Sequence, residues 1–211
     1  MVGVTGTDGK TTTSTYLATA LSAAGMRSGL ISTAISRVGG VQRDAIAHQT
    51  TPEAPELQAM LRAIRESGDA AAVLETTSHA LELSRVDTIG YAAAVYTTFG
   101  VDHLDLHGTV EAYREAKLRL VSRVTGSPAS RAAGLPLVAV IRTVDPAMAP
   151  FSAAAAAAGL RVVSYDAVRE DELLVDGVGY PVELRMPGLV NARNAAAALA
   201  LIVAWGLPVA P

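Results

Sequence analysis

The feature that most limits the fold of this chain is a glycine-rich loop near its start, Val4-Thr5-Gly6-Thr7-Asp8-Gly9-Lys10-Thr11-Thr12-Thr13. A short apolar run precedes the loop and a helical pattern follows it, which places the loop where a strand turns into a helix. Gly6 and Gly9 permit backbone angles and close approaches that a side chain would forbid, so the amides of the loop and of the helix start can point at one anion. The sequence therefore predicts a phosphate-binding loop made by Thr5, Gly6, Thr7, Asp8, Gly9, Lys10, Thr11 and Thr12.

Two side chains in this loop suit a nucleotide with a metal ion. Lys10 adds a positive charge near the β- and γ-phosphates, and the Thr11 hydroxyl can ligate Mg²⁺. The strict phosphate-loop pattern has glycine where this chain has Val4, so the match is partial. A Gly-Lys-Thr triplet alone also fits a plain turn with an exposed lysine, but the order strand, loop and helix favours phosphate binding.

Composition excludes several classes of function. The 211 residues include 17 Lys and Arg scattered among 20 acids, with a net charge of −3, so we expect no nucleic-acid partner. The absence of cysteine excludes disulfides, thiolate metal sites and a thiol nucleophile, and a cytoplasmic protein is expected. The most apolar stretches are shorter than a membrane span, so no membrane partner is expected. No feature of the sequence indicates an oligomeric state.

Predicted strands and helices alternate along the chain. After the first strand, the predicted strands cover residues 29–33, 70–76, 92–98, 135–141 and 161–165. The predicted helices cover residues 10–24, 51–67 with Thr51 as N-cap, 109–124 with Thr109 as N-cap, 147–158 and 191–205. A turn at Gly39-Gly40 opens a polar segment, up to Gln49, that could reach a ligand. A β-hairpin is predicted within residues 173–186, turning at Asp176-Gly177 or at Gly179.

This alternation predicts an α/β fold with a doubly wound, mostly parallel sheet and flanking helices. The length suits one domain over residues 1–211, although the loop starts almost at residue 1 and the last residues are linker-like, as in a piece of a longer protein. Ligands of such sheets bind at the carboxyl ends of the strands. Glu75 ends one predicted strand and the cluster from Asp102 to His107 follows another, so both are expected beside the phosphate loop.

Five segments together resemble the Mur ligases and, within that family, the UDP-N-acetylmuramoyl-tripeptide synthetases (MurE). The first is the glycine-rich loop, and the others are Thr50-Thr51-Pro52, Glu75-Thr76-Thr77-Ser78-His79-Ala80-Leu81, Asp102-His103-Leu104-Asp105-Leu106-His107-Gly108 and Tyr113-Arg114-Glu115-Ala116-Lys117. The resemblance covers nearly the whole chain but only the central ATPase domain of the family's usual three. Nothing in the chain resembles the N-terminal UDP-binding domain or the C-terminal domain that selects the amino acid.

The resemblance implies an ATP-dependent ligase of peptidoglycan precursor synthesis. In that family, ATP phosphorylates the carboxylate of a UDP-muramoyl-peptide, and the amine of an amino acid attacks the acyl phosphate to form an amide. By resemblance, Lys10 and Thr11 hold the phosphates and a first Mg²⁺, which Glu75 also ligates. His103 ligates a second Mg²⁺, and Lys117 is carbamylated by CO₂ to become an anionic group on the metal side. These four are the expected catalytic residues: Lys10, Glu75, His103 and Lys117.

The resemblance also implies binding residues outside the loop. Asn191 and Asn194 match a pair that holds the adenine end of ATP. The residues that match positions holding the UDP-muramoyl substrate are Thr50, Thr51, Thr77 and Arg85.

Plainer interpretations stay open for several of these residues. Glu75 also fits a carboxylate that caps a following turn, His103 a hydrogen-bonded core histidine, and Lys117 an ordinary helix-surface lysine. His79 and His107 are expected to be structural. The chain departs from the family pattern at Asp8, Thr98, Val101 and residues 142–146. A non-ligating ATP-binding module and an unrelated P-loop kinase or NTPase are the alternative functions, although the second leaves the other motifs unexplained.

Overall fold

The structure, a computed structural model, describes residues 1–44 and 49–209. In chain order its first half contains β1 (Val2–Thr5), α1 (Lys10–Ala23), β2 (Ser28–Ile31), β3 (Ile35–Val38), β4 (Val41–Asp44), α2 (Ala54–Glu66), β5 (Ala71–Glu75), α3 (Ser78–Glu82) and β6 (Ala93–Tyr96). The remainder contains α4 (Leu104–His107), α5 (Val110–Ser122), α6 (Pro128–Ala132), β7 (Val138–Ile141), a 3₁₀ turn (Pro146–Met148), α7 (Ala149–Ala157), β8 (Arg161–Arg169), β9 (Glu172–Val175), β10 (Val178–Pro181) and α8 (Leu189–Ala204). Within these described residues, no helix has the length and apolar character needed to cross a membrane.

The described strands form one sheet in the order β10-β9-β8-β7-β6-β1-β5-β2-β3-β4. The six strands from β8 to β2 run parallel, and β1 lies between β5 and β6. From this central strand the chain winds first toward β2 and later toward β8, which confirms the predicted doubly wound, mostly parallel α/β fold. An antiparallel hairpin extends the sheet at each edge, β3–β4 on one side and β9–β10 on the other.

Alternate residues of the parallel strands face two different helical layers. Val73 and Val95 point to the side covered by α1 and α8, whereas Leu74 and Tyr96 point to the side covered by α2, α3, α5 and α7. This is the pattern of strands that are buried on both faces. Helix α8 is apolar almost all round because its alanines pack closely against α1, β8 and β9.

Turn and capping signals account for most element ends. Thr109 caps α5 by accepting a hydrogen bond from the amide of Ala112 (3.1 Å). The predicted hairpin, β9–β10, turns at Asp176-Gly177, whose φ angles of 48° and 80° suit a tight two-residue turn. The Gly179 alternative is wrong, because Gly179 lies in β10 and pairs with Leu174.

Three predictions of local structure are corrected. Thr51 is not the N-cap of α2, which is Glu53; Thr51 is buried, and its hydroxyl donates to the carbonyl of Glu75 (2.7 Å). The polar segment after Gly39-Gly40 contains β4, and β3 precedes the turn, so this region is a hairpin as far as Asp44. Residues 45–48 of that segment lie outside the described residues. The last helix begins at Leu189 rather than Asn191 because residues 189 and 190 already have helical geometry.

Candidate active site

The glycine-rich loop joins β1 to α1 at the carboxyl edge of the parallel strands. Gly6 and Gly9 have φ angles of 151° and 82°, and a side chain at either position would meet other parts of the site. A Cβ atom on Gly6 would collide with the Thr97 hydroxyl, and one on Gly9 would collide with the side-chain oxygen of Asn194. Glycine at these two positions therefore lets the loop pass between the end of β6 and the start of α8.

Residues after β6 hold the loop from one side. The Thr7 amide donates to the Thr98 carbonyl (2.8 Å), and the Asp8 amide donates to the Thr98 hydroxyl (2.9 Å). The Thr97 hydroxyl donates to the Asp8 carbonyl (2.6 Å). These bonds fix the Asp8 backbone, while its carboxylate is exposed beside the anion-binding loop. Thr98, a departure from the family pattern, thus serves as a direct support of the loop.

The chain contains two lysines, and both bind the same carbonyl of the loop. Lys10 folds back so that its Nζ donates to the carbonyls of Gly6 (3.1 Å) and Thr7 (2.7 Å). Lys117 on α5 is only 1% exposed, and its Nζ donates to Gly6 (2.8 Å) and lies 4.4 Å from the centre of the Tyr113 ring. Burial, followed by the nearby Lys10 charge, lowers the pKa of Lys117 to about 7. Lys117 is therefore a buried amine and not a helix-surface lysine.

Glu75 is the last residue of β5, and its carboxylate is held by two hydroxyls and an amide. It is 1% exposed and accepts hydrogen bonds from the Thr11 hydroxyl (3.0 and 3.1 Å) and from the Thr33 amide (2.9 Å) and hydroxyl (3.1 Å). The carboxylate therefore does not cap a following turn. A carboxylate beside a hydroxyl provides the hard oxygen donors that Mg²⁺ prefers, so Thr11 and Glu75 fit the first metal of the prediction.

Thr33 is a site residue that the sequence did not indicate. It follows β2, and its hydroxyl also lies 3.0 Å from that of Thr50. The only local signal was a hydroxyl residue at the end of the predicted strand 29–33, which is too common to predict a role.

Three histidine rings lie close together, and those of His103 and His107 also lie beside the Tyr113 ring. His103, the predicted metal ligand, begins α4 with a φ angle of 51°, and its side chain is 40% exposed and 3.4 Å from the Asp102 carboxylate. Its ring meets that of His79 edge-on, with 4.7 Å between the ring centres. His107 hydrogen-bonds the Ser78 hydroxyl (3.0 Å). His103 is thus too exposed for a core histidine, whereas His107 holds α4 against α3.

A metal role for His103 remains a prediction. Among the described residues, no three His, Asp or Glu side chains form a ready metal-binding group. Burial lowers the pKa of His79, and the nearby His103 and His107 lower it further. Since neutral imidazole is the form that binds metal ions, the lowered pKa of His79 is compatible with a cation nearby.

A cavity of about 350 Å³ brings the predicted substrate residues together with Lys10 and His103. It is lined by Lys10, Gln49, Thr50, Thr51, Thr77, His79, Arg85 and His103. Arg85 donates to the Thr51 carbonyl (3.2 Å) and forms an ion pair with Glu53 (2.7 Å), so its guanidinium is fixed at the wall. Gln49 ends the polar segment that was expected to reach a ligand, whereas His79, which was expected to be structural, is a lining residue to which the sequence assigned no substrate role.

A second cavity, of about 670 Å³, opens beside α2 at the amino ends of the strands. Its lining contains none of the predicted site residues, so the smaller cavity is the candidate substrate site.

The two asparagines of α8 have different surroundings. Asn194 is buried against Gly9, and its side-chain oxygen accepts a hydrogen bond from the Thr13 hydroxyl (3.3 Å). Asn191, one turn earlier, donates to the carbonyl of Pro187 (2.9 Å) and so holds the first turn of the helix. Asn194 therefore contacts the phosphate loop directly. Thr12 lies in the first turn of α1, and Thr5 is buried at the end of β1, where its hydroxyl has no hydrogen-bond partner among the described residues.

The known proteins that this chain resembles in sequence and fold are Mur ligases. The sequence profile of the Mur ligase middle domain matches residues 4–202. The chain is 37% identical to a UDP-N-acetylmuramyl-tripeptide synthetase from Roseiflexus sp. (strain RS-1), in an alignment that covers 99% of the chain and 44% of that protein. It resembles the solved structure of a UDP-N-acetylmuramoyl-L-alanyl-D-glutamate–2,6-diaminopimelate ligase with a TM-score of 0.74 and 28% identity, covering 100% of the chain and 46% of that structure.

The chain also resembles a MurF ligase from Thermotoga maritima, solved in complex with ADP, with a TM-score of 0.63 and 18% identity. That match covers 99% of this chain and 46% of the MurF chain, and at this identity it shows a shared fold alone. The chain spans less than half the length of each of these proteins. The profile match extends over nearly every described element, from the glycine-rich loop to α8. The chain belongs to the Mur ligase family and corresponds to its middle domain.

Proposed function

We propose that this chain is the ATP-binding unit of a ligase that joins an amino acid to a UDP-muramoyl-peptide in the cytoplasm, where ATP is available. The observation that carries the proposal is the buried Glu75–Thr11 pair beside the glycine-rich loop, next to a cavity lined by the expected substrate residues. A relative named as a UDP-N-acetylmuramyl-tripeptide synthetase supports this substrate class. Because the chain covers 44% of that relative, ligation would require the UDP-binding and amino-acid-selecting domains as well.

The residues present fit a magnesium nucleotide. Loop amides and Lys10 would hold the phosphates, Thr11 and Glu75 would hold Mg²⁺, and Asn194 with Asn191 would hold the adenine end. Bound Mg-ATP would supply the phosphoryl group that activates a carboxylate. A MurF ligase that shares this fold was solved in complex with ADP, which supports the choice of an adenine nucleotide as the ligand.

The cavity suits the anionic UDP-muramoyl-peptide. Arg85 provides a fixed guanidinium, and Thr50, Thr51 and Thr77 provide hydroxyls along the same wall. His103 lines this cavity together with Lys10, so His103 would be the residue that holds a second Mg²⁺.

Lys117 would serve as a carbamate. With a pKa of about 7, its amine is neutral in a large fraction of molecules at neutral pH, and a neutral amine can attack CO₂. The N–C bond forms, one C–O double bond opens, and the nitrogen loses a proton to solvent. The resulting anion would replace a buried amine with oxygen donors for a metal ion.

One observation favours a second candidate, an ATP-binding module that does not ligate. The Asp8 carboxylate is exposed on the loop that would receive the phosphates, and a negative charge there opposes binding of an anion. Membership of the Mur ligase family argues against the unrelated P-loop NTPase.

Calorimetry with Mg-ATP tests the proposal. We expect the chain to bind Mg-ATP with measurable heat and the Lys10→Ala variant to lose that heat, because the loop would lack its mobile cation. Arg43→Ala, on the exposed strand β4, is the matched loss of a positive charge and should bind as the parent does. A parent that does not bind Mg-ATP would contradict both candidate functions.

Turnover separates the two candidates. In protein that includes whatever sequence flanks this chain in its gene, a ligase releases phosphate only when a UDP-muramoyl-peptide and an amino acid are both present. Binding of ATP with no such release identifies the non-ligating module.

A further inference from the structure

Two arginines and two aspartates form an ion-pair cluster at the carboxyl ends of β7 and β8, beside the start of α8. Asp166 is its centre: its Oδ1 accepts hydrogen bonds from the Nε atoms of Arg142 (2.7 Å) and Arg193 (3.2 Å). Arg142 also contacts Asp145 (3.3 Å). The Asp166 side chain is 13% exposed, so these contacts are largely sheltered from solvent. We call these four residues the Asp166 cluster.

The Asp166 cluster joins the sheet to the helix that carries the expected adenine-binding residues. Arg142 follows β7, Asp166 lies in β8, and Arg193 lies in α8 next to Asn194. Asn194 in turn is packed against Gly9 of the phosphate loop. A single carboxylate therefore connects the end of β7 to the residue adjacent to Asn194.

The charges of the cluster make Asp166 difficult to replace. Without this carboxylate, the two guanidiniums would face each other in a half-buried region, where like charges repel more strongly than in water. Arg193 would then move away from the sheet, and the first turn of α8 would move with it.

We propose that Asp166 is a positioning residue for the adenine end of the nucleotide. It holds the first turn of α8 so that Asn194 keeps its place beside the glycine-rich loop, and it does not itself touch the nucleotide. This inference rests on the proposed ATP-binding function and adds to it a residue outside every motif that indicated that function.

Two ligands separate positioning of the adenine end from general support of the fold. Mg-ATP uses both the phosphate loop and the adenine end, whereas inorganic tripolyphosphate with Mg²⁺ uses the phosphate loop alone. In calorimetry, Asp166→Ala should weaken Mg-ATP binding about five-fold or more, because small displacements of binding groups are costly. Tripolyphosphate binding should stay within about two-fold of the parent, since Lys10 and the loop amides are unchanged.

Further variants complete the test. Asp166→Glu keeps the charge and should restore part of the ATP affinity. Arg193→Gln breaks the contact between Asp166 and α8 but keeps the contact between Asp166 and Arg142, and it should bind the two ligands as Asp166→Ala does. If Asp166→Ala does not fold, Arg193→Gln takes its place in the test. Asp87→Ala removes a carboxylate that pairs with Arg123 (2.6 Å) away from the site, and it should bind both ligands as the parent does.

The possible results separate the inference from the proposed function. Equal loss of both ligands in Asp166→Ala, or parental binding of both, overturns the positioning role. A parent that binds neither ligand overturns the proposed function, and the inference falls with it.

Discussion

Lys117 has an unusual setting for lysine, because its amine is buried against a backbone carbonyl and close to a second lysine. Since the chain has two lysines, carbamate formation can be assigned by substitution. In ¹³C-bicarbonate, the parent should show a lysine carbamate resonance by NMR. Lys117→Ala should remove it, and Lys10→Arg, which leaves Lys117 as the sole lysine, should retain it. Absence of the resonance from the parent would argue against the carbamate.

Gly9 and Gly25 have nearly the same φ angle, 82° and 85°, but different surroundings. A Cβ atom on Gly9 would meet Asn194, whereas one on Gly25 would have open space around it. Alanine in this left-handed conformation costs about 1–2 kcal/mol by itself, so Gly25→Ala should lose about that much unfolding free energy. Gly9→Ala should lose more and should also lose Mg-ATP binding. If chemical denaturation shows equal losses of unfolding free energy in the two variants, the contact between the new methyl group and Asn194 does not destabilise the protein.

Residues of the candidate site differed in how far the sequence could predict them. The glycine-rich loop, Glu75 and Lys117 belong to short motifs, so their meeting at one edge follows from the order of the strands. Thr33 and Asp166 have roles that depend on side chains from other strands, and no local pattern marks such contacts. The neighbours of Thr51 suggest a helix cap, but a buried hydroxyl must find partners, and that of Thr51 finds the carbonyl of Glu75 and the amide of Thr77.

At the level of elements, the β3–β4 hairpin is anchored by a buried carboxylate at its turn. The Asp69 side chain is fully buried and accepts hydrogen bonds from the Gly39 amide (2.8 Å), the Arg27 Nε (2.8 Å) and the Ser67 hydroxyl (3.0 Å). Thr33 precedes this hairpin, so the anchor lies at the end of the hairpin opposite the candidate site.

Asp69→Asn should loosen this hairpin. The asparagine amide group places N–H donors in a site where three donors already point at this side chain. Buried donors that are left without an acceptor cost about 1–3 kcal/mol of unfolding free energy. Hydrogen exchange should become faster in β3 and β4 and stay slow in β1. Asp171→Asn, which breaks an exposed ion pair with Arg169, is the control and should leave hydrogen exchange unchanged both in β3–β4 and in β1. Unchanged exchange in Asp69→Asn would show that the carboxylate does not hold the hairpin.

The helices and strands predicted best are those whose burial gives the sequence an uninterrupted apolar pattern. The parallel strands have apolar runs because both faces are covered, and the turn at Asp176-Gly177 marks the β9–β10 hairpin. The strands β3 and β4 were missed because they are half-buried or exposed at the edge of the sheet and contain mixed polar residues. An edge strand has few packing partners, so its sequence is less restricted.

For the whole molecule, the buried amine of Lys117 links stability to pH. Its pKa is about 7 in the folded protein and about 10.4 in an unfolded chain, so between these values the unfolded state binds the extra proton. The free energy of unfolding should therefore rise with pH through this window, by up to about 1.4 kcal/mol per pH unit. The stability gained at high pH is therefore lost as the pH falls toward 7.

Lys117→Met keeps the side-chain volume and removes this titration. In CO₂-free buffer, the variant should be more stable than the parent at pH 7, and the difference should shrink as the pH rises toward 10. Denaturant unfolding at a series of pH values measures it. A difference that does not change with pH would show that the folded amine keeps its ordinary pKa.

The central position of β1 has a consequence for the order of folding during synthesis. Val2 pairs with Val73 on one side and Ala93 on the other, and α1 packs against α8 near the far end of the chain. Of the strands described here, β1 is made first and must therefore wait for partners that emerge much later, and one helical layer closes only after α8 has left the exit tunnel. Contacts of such large sequence separation form slowly. We expect nascent chains that stop before α8 to remain partly folded and to depend on chaperones until the last helix arrives.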